Sequence, residues 1–264
     1  MSLHNTPKSG ISQETKGLFP FWKKPGETLA VMLRRFRTEH NVSLDEKVTY
    51  AGRLDPMAEG VVPILTGPAR FQKELFMKKT KTYEVEILLG IGTDTGDMLG
   101  LSCQSEATAE LGISARKFLA EEIEKALAML AKTVSLPYPN YSSRPVDGKP
   151  LFMHARAGNQ VILPIKKVSV YELELLEIKE YKISDLVAKA LSVIETVQGD
   201  FRQGEIIKLW NVYMARSDLV QVVTIRTTVS SGTYMRALAE KLGLLLKAPA
   251  LAYSIKRVAI AGIQ

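Results

Sequence analysis

The sequence predicts an α+β fold in which helices flank a mixed, largely antiparallel sheet. Two stretches are typical of strands: residues 83–89 alternate apolar with polar side chains, and residues 219–229 are rich in β-branched ones. Two others have helical periodicity, one after Thr28 and one after Gly232. Helices and strands are interspersed without the regular alternation typical of a parallel sheet, which favours the α+β class.

The first predicted helix follows Thr28, whose hydroxyl is placed to cap it, and its apolar stripe includes Met32 and Phe36. The helix after Gly232 has a similar stripe that begins at Met235. The remaining predicted elements, in chain order, are a buried strand at 61–65, a short helix at 69–78, a helix capped by Ser114 that reaches Leu130, an irregular loop at 136–149, strands at 161–165 and 169–178, a helix at 185–197 and a final strand at 257–260.

The bulk composition is that of an ordinary globular protein with a basic balance. The 264 residues suffice for one large domain, and 46% of them are hydrophobic and 24% charged. Lysine and arginine total 35 against 28 acidic residues, a formal net charge of +7. Such a charge favours a polyanionic partner, because cations near phosphates release condensed counterions.

Cysteine and histidine usage excludes several classes of protein. Cys103 is the single cysteine, so no intramolecular disulfide forms, and a reducing cytoplasm is expected. Together with His4, His40 and His154 it does not readily supply the four ligands of a structural zinc site. No apolar run approaches a membrane span, and residues 1–16 are polar, as in a flexible tail.

A loop rich in turn residues displays a carboxylate. Asp55 lies between Gly52 and the pair Pro56 and Gly60, and an apolar run follows immediately. Loops on a rigid scaffold often carry catalytic side chains, but most aspartates in turns only hydrogen-bond their own backbone. The local pattern leaves both interpretations open.

The motif Gly52-x-Leu54-Asp55-Pro56-x-Ala58-x-Gly60 resembles the G-x-L-D-P-x-A-x-G loop of the TruB family of tRNA pseudouridine synthases. Further matching motifs run in the family's order from Lys24 to Arg257, so the resemblance covers almost the whole chain. It implies the pseudouridine-synthase fold and the isomerisation of a T-loop uridine of tRNA, at position 55, to pseudouridine. The reaction involves no redox change and no net hydrolysis, so no cofactor and no metal is expected.

The resemblance implies three catalytic residues. Asp55 would attack C1′ or abstract the C2′ proton, and the sequence does not separate these roles. Tyr83, in Lys-Thr-Tyr-Glu-Val, would stack on the flipped uracil and assist deprotonation at C5. Arg236, in Gly-Thr-Tyr-Met-Arg, would orient and ionise Asp55. Read alone, the pattern around Tyr83 favours a core tyrosine, and Arg236 could pair with Glu240 along its own helix.

Five further residues are expected to bind the substrate. Tyr234 and Ile255 would form walls of the pocket, and Lys24 corresponds to the lysine of the family's Lys-Pro motif. Arg53 lies inside the Asp55 loop. Tyr50 stands where the family usually has a histidine, so a cationic role in base extrusion does not carry over.

The chain also departs from the family pattern. Pro145 and Phe152 replace a lysine and a tyrosine, and Arg144 could supply the missing charge. Residues 17–264 are expected to form a single catalytic domain with an atypical insertion at about 181–210 and no C-terminal PUA domain.

The expected partner is the T-arm of tRNA, for a monomeric cytoplasmic enzyme with no membrane contact and no obligate protein partner. One alternative is a tRNA-binding or tRNA-folding protein on the same scaffold with little catalysis. Another is a metal-dependent phosphohydrolase built on Asp94 and Asp97, although their turn is too short for an EF-hand and favours a structural role.

Overall fold

A computed structural model describes residues 17–102 and 116–263. The predictions for the 1–16 tail, Cys103 and the Ser114 cap therefore lie outside the described residues. The strands are β1 (Leu18–Lys23), β2 (Thr49–Tyr50), β3 (Glu59–Leu65), β4 (Lys81–Leu89), β5 (Lys132–Pro137), β6 (Pro145–Val146), β7 (Lys149–Pro150), β8 (Ile165–Lys182), β9 (Leu219–Val229) and β10 (Ala250–Ile260). The α-helices are α1 (Leu29–Glu39), α2 (Lys73–Lys78), α3 (Ala120–Leu130), α4 (Leu151–Arg156), α5 (Ile183–Ile194), α6 (Gln203–Asn211) and α7 (Met235–Leu246).

One large mixed sheet organises the described part of the chain. Its strand order is β1-β3-β10-β4-β9-β8-β5, with β2 paired to β3, while β6 and β7 form a separate hairpin. Every neighbouring pair of the large sheet is antiparallel except β3 and β10, which run parallel. The predicted α+β class with a largely antiparallel sheet is confirmed.

Helices cover both faces of this sheet, because successive strand residues point to opposite sides. On β4, Ile87 packs in the core that contains α3 and α7, and its neighbour Leu88 packs in the core that contains α5 and α6. The helix α1 begins where the capping pattern predicts, since Thr28 Oγ1 accepts a hydrogen bond from Val31 N. The 181–210 segment thus contributes α5 and most of α6 to the second face.

Three local predictions need correction. Residues 161–164 form no strand, and β8 instead runs from Ile165 to Lys182, well beyond the predicted 169–178. The two ends of β8 that were not predicted are rich in lysine and glutamate, which are less common in strands. The predicted irregular loop at 136–149 contains the end of β5 and the β6–β7 hairpin. The first half of the predicted 69–78 helix belongs to a 3₁₀ turn, Gly67–Gln72, that carries a proline near its start.

A close crossing of β3 and β10 fixes the Asp55 loop on the sheet. Gly60, at the start of β3, has φ +123° and pairs with Arg257 of β10. A Cβ placed at Gly60 would lie 2.2 Å from the carbonyl oxygen of Arg257. Only glycine fits both the backbone angle and the space.

Among the described residues, no helix combines the length and apolar character needed to cross a bilayer.

Candidate active site

Asp55 and Arg236 form a two-bond ion pair at the centre of a cleft. Arg236 Nε donates to Asp55 Oδ2 at 2.9 Å and Nη2 donates to Oδ1 at 3.2 Å, although the two residues are 181 positions apart. The Arg236 side chain is 2% exposed and that of Asp55 is 35% exposed. The arginine therefore reaches the carboxylate from inside the protein and leaves the carboxylate accessible, and its hydrogen-bond partner is Asp55 rather than Glu240.

Two backbone carbonyls fix the rest of the Arg236 guanidinium. Nη1 donates to Thr95 O at 2.7 Å and Nη2 also donates to Tyr141 O at 3.0 Å. Burial lowers the pKa of Arg236, but the negative charges of Asp55 and Asp97 raise it by more, so the group stays cationic. A charged, immobile guanidinium is suited to hold a carboxylate in one orientation.

The second carboxylate near Arg236 is fully enclosed. Asp97 Oδ2 lies 3.7 Å from Arg236 Nε, and Asp97 Oδ1 accepts hydrogen bonds from Thr95 Oγ1 and Leu99 N. Burial raises the pKa of Asp97 to about 6, and the Arg236 charge opposes that rise. Asp97 therefore places a second negative charge beside the Arg236 guanidinium, inside the protein.

Asp94 points to a different set of partners. Its Oδ1 accepts from Leu101 N at 2.8 Å, and its Oδ2 lies 2.7 Å from Arg202 Nη1. Within residues 17–102 and 116–263, no group of three or more His, Cys, Asp or Glu side chains is arranged to hold a metal ion. The structural interpretation of this turn is the one that the geometry favours over a metal-dependent phosphohydrolase.

The cleft around Asp55 has a volume of about 810 Å³, which is in the range of pockets for small ligands. Tyr83 and Ile255 line it from neighbouring strands and are buried. Seven of the eight predicted site residues line this cleft: Tyr50, Arg53, Asp55, Tyr83, Tyr234, Arg236 and Ile255. The structure thus brings together residues spread over most of the chain.

Two aromatic side chains that line the cleft, Tyr50 and Tyr234, have a cationic and an aromatic neighbour, respectively. Tyr50 is half-buried, and Lys73 Nζ lies 5.7 Å from the centre of its ring. A cation is therefore close to the position where the sequence lacks a histidine. Tyr138 packs edge-to-face against Tyr234, with ring centres 5.8 Å apart. Arg144 lies over the Tyr138 ring and is not among the residues that line the cleft.

Lys24 is the predicted site residue that the structure does not bring to the cleft. Its side chain is exposed, and it is not among the lining residues. Strand alternation explains the difference, because Phe21 and Lys23 of β1 occupy the buried phase and Lys24 lies just beyond the strand.

Two buried cations that the sequence reasoning did not place in the site hold the Asp55 loop. Lys23 Nζ donates to the carbonyls of Lys24, Pro56 and Ala58 at 2.6 to 3.0 Å, and burial lowers the pKa of Lys23 to about 8. Arg257, which is 1% exposed, donates to the carbonyls of Gly52, Arg53 and Val61. The available signal was a charged residue on the apolar phase of a strand, which is costly unless the charge has partners.

The sequence and the fold were compared with those of known proteins. Residues 39–193, more than half of the chain, match the family model described as TruB family pseudouridylate synthase, N-terminal domain. The chain is 31% identical over 205 residues to the tRNA pseudouridine synthase B of Bacillus anthracis, which covers 78% of this chain and 54% of that protein. It is 34% identical over 161 residues to the tRNA pseudouridine synthase B of Listeria innocua, covering 61% and 50%. The chain spans about half the length of the curated relatives it matches.

Solved structures show the same fold at lower sequence identity. A Cbf5-Nop10-Gar1 complex contains a chain with a TM-score of 0.56 and 16% identity, matched over 94% of this chain and 49% of that one. A chain of an H/ACA RNP bound to a substrate RNA containing 2′-deoxyuridine gives a TM-score of 0.52 at 16% identity, over 92% and 47%. These likenesses support the architecture of the sheet and its helices.

Proposed function

This chain belongs to the TruB family of pseudouridylate synthases, and we propose that it isomerises a uridine in the T-loop of tRNA, at position 55, to pseudouridine. The observation that carries the proposal is the two-bond pair between Asp55 and Arg236 in a cleft of about 810 Å³. A single oriented carboxylate in a pocket that can admit one nucleotide fits a reaction on a base flipped out of the RNA stack.

Asp55 is the reacting carboxylate in this proposal. Whether it attacks C1′ or removes the C2′ proton, it needs a defined orientation toward the ribose, and Arg236 supplies that orientation from the buried side. Preorganised charged partners stabilise developing charge without reorganising during the reaction. The part of Asp55 that remains exposed faces the cleft, where the substrate would lie.

The apolar residues of the cleft hold the detached uracil. The glycosidic N1–C1′ bond breaks, the base turns, C5 bonds to C1′, and the C5 proton leaves while N1 becomes protonated. Tyr83 would stack on the base and assist removal of the C5 proton, with Ile255 and Tyr234 as walls. Because Tyr83 and Ile255 are buried, they would keep water from C1′ and so prevent hydrolysis. The overall change is an isomerisation, so it consumes no oxidant, reductant or other co-reactant.

The remaining parts of the proposal concern partner and setting. The net charge of +7 supports binding of a polyanion, and Arg53 and Tyr50 at the cleft are suited to contact phosphate and base, respectively. Both halves of the Asp55–Arg236 pair come from one chain, which supports a monomer as the working unit. A cytoplasmic location agrees with tRNA as the substrate.

Pseudouridine mapping on an unmodified tRNA transcript tests the proposal. We expect one new pseudouridine, at position 55, and none when that uridine is replaced by cytidine. Asp55→Asn should bind the transcript but form no product, whereas Asp45→Asn, a change at an exposed loop aspartate, should behave as wild type. Equal product from Asp55→Asn and wild type would refute the site assignment. Binding without product from the wild type would leave the tRNA-folding alternative.

A further inference from the structure

The link between α5 and α6 brings a second arginine to the rim of the cleft. Arg202 stands at the N-cap of α6 with φ +62°, a left-handed conformation that is unfavourable for a non-glycine residue. Its Nη1 donates to Asp94 Oδ2 at 2.7 Å and its Nη2 donates to Asp94 Oδ1 at 3.3 Å. The guanidinium carbon lies over the Tyr141 ring, 4.5 Å from its centre.

Of the two residues that Arg202 contacts, one supports Arg236 directly and the other is the chain neighbour of its second support. Tyr141 provides one of the two carbonyls that accept from the Arg236 guanidinium. Asp94 immediately precedes Thr95, which provides the other. Asp94 also ties the turn together through Leu101, because its Oδ1 accepts from Leu101 N and its backbone N donates to Leu101 O. One side chain from the α5–α6 link thus restrains both backbone supports of the arginine that orients Asp55.

The link that carries Arg202 is itself well anchored. Gln203 Nε2 donates to the carbonyls of Val197 and Gly199, and Gln203 Oε1 accepts from Phe201 N. Further along α6, Trp210 is buried, and its Nε1 donates to Met98 O at 3.1 Å. A link fixed at both ends can transmit its position to the residues that it contacts.

We propose that Arg202 is a positioning residue that aligns Arg236, and through it Asp55, by restraining the carbonyls of Thr95 and Tyr141. The inference rests on the proposed function for its kinetic test, but its structural test does not. Small displacements matter here, because a shift of about 1 Å in a catalytic constellation can cost roughly 100-fold in rate. The segment at about 181–210 therefore acts on the chemistry from a distance, in addition to covering the sheet.

Direct contact with RNA is the competing role for Arg202, since it also lines the cleft. The geometry favours positioning, because two of its three guanidinium nitrogens point to Asp94 and one of its faces is covered by Tyr141. If Arg202 contacts a phosphate, its replacement should raise the Kd for tRNA, whereas if it is a positioning residue, its replacement should lower the rate at saturating tRNA. The two roles are therefore separable by experiment.

The test compares Arg202→Gln, Arg202→Lys and Asp94→Asn with Arg226→Gln as the matched control. Arg226 forms a comparable pair, with its Nη2 2.6 Å from Glu84 Oε1, but it does not line the cleft. The measurements are the single-turnover rate at saturating tRNA, the Kd for tRNA, and the hydrogen-exchange rate of the Arg236 Nε–H by NMR. A thermal melt of each variant shows whether it is folded.

For Arg202→Gln we expect a roughly 10- to 100-fold lower rate, a Kd within about threefold of wild type, and faster exchange at Arg236 Nε. Arg202→Lys keeps the charge but not the two-bond geometry, so its rate should lie in between. Asp94→Asn combined with Arg202→Gln should cost no more than the larger single effect, since both break one connection. Arg226→Gln should match wild type.

The inference is overturned if Arg202→Gln leaves both the rate and the Arg236 exchange unchanged, or if it raises Kd and leaves the rate unchanged. Additive losses in the double variant would also overturn it. If Arg202→Gln does not fold, the rate, the Kd and the Arg236 exchange of Arg202→Lys and Asp94→Asn are compared with those of wild type instead. If the wild type forms no pseudouridine, the proposed function fails, while the exchange of Arg236 Nε–H still decides the positioning role.

Discussion

Lys23 and Arg257 bind the backbone of the Asp55 loop on opposite sides of the aspartate. Lys23 Nζ binds the carbonyls of Pro56 and Ala58 after the aspartate, and Arg257 binds the carbonyls of Gly52 and Arg53 before it. Neither cation reaches the carboxylate by a hydrogen bond within the described residues; both act on the backbone that carries it. The loop is therefore positioned by β1 and β10, and the Asp55 carboxylate is oriented separately by Arg236 of α7.

Replacing Lys23 with methionine should destabilise the protein. Methionine fills a similar volume but donates no hydrogen bond, so buried carbonyls lose their partner. We expect a loss of about 2 kcal/mol in the free energy of unfolding, measured by urea denaturation. Lys24→Met, at the exposed neighbour, should change it by less than about 0.5 kcal/mol. Equal effects of the two variants would contradict the assigned role of Lys23.

Gly60→Ala should disrupt the crossing of β3 and β10. The new Cβ would be 2.2 Å from Arg257 O at a φ of +123°, so strain and collision add, and we expect a loss of more than about 3 kcal/mol or a failure to fold. Gly148→Ala is the matched control, because its φ is +75° but no atom lies within 4 Å of the added Cβ. It should cost about 1 kcal/mol. Thermal melts of both variants provide the comparison, and similar melting temperatures would argue against the close crossing.

Tyr83→Phe should separate stacking from proton transfer in the proposed reaction. The ring stays in the cleft, so the Kd for tRNA should remain within about threefold of wild type, while loss of the hydroxyl should lower the single-turnover rate by roughly 100-fold. Tyr171→Phe, at a tyrosine that is 60% exposed, serves as the control. A Tyr83→Phe variant with the wild-type rate would remove the hydroxyl from the mechanism and leave only a stacking role.

Protonation of Asp97 should make the free energy of unfolding change with pH in the acid range. Its folded-state pKa of about 6 lies above the ordinary value of 3.8, so between these values the folded protein holds a proton that the unfolded chain has released. This contribution to the free energy of unfolding is complete below the lower value and is lost as the pH rises through about 6, with a slope approaching 1.4 kcal/mol per pH unit. Urea denaturation of wild type and Asp97→Asn between pH 4 and 7 measures the difference. Parallel curves would show that Asp97 is not protonated in this range.

Elements that are specified by neighbouring residues were predictable from the sequence. The β-branched run gave β9 with its correct bounds, Leu219–Val229, and the Thr28 cap with an apolar stripe gave α1. The Asp55–Arg236 pair was predictable only through the resemblance to a family, because nothing local to either residue indicates a partner 181 positions away. The middle of β8 was predictable, but its two ends, where lysine and glutamate are frequent, were not.

The residues that were missed have partners that the sequence does not reveal. The Lys-Pro motif drew attention to Lys24, although the alternation of β1 places Lys23 inside. Arg257 follows Ile255 on the same face of β10, an apolar phase in which an arginine is unusual. Arg202 gives no such signal, because its partner Asp94 is 108 residues earlier in the chain. A charged residue on the buried face of a strand can be recognised in the sequence, whereas an ion pair between distant segments cannot.

The position of β10 between β3 and β4 has a consequence for biosynthesis. A ribosome makes β3 and β4 first, and they remain unjoined until a strand translated almost 170 residues later inserts between them. Strand pairing over such sequence separations is slow. The hydrogen bonds from Arg257 to the backbone of the Asp55 loop form only when β10 inserts. A nascent chain still lacking β10 has neither Ile255 in the cleft wall nor Arg257 against the loop backbone, so the cleft is complete only after β10 has been made.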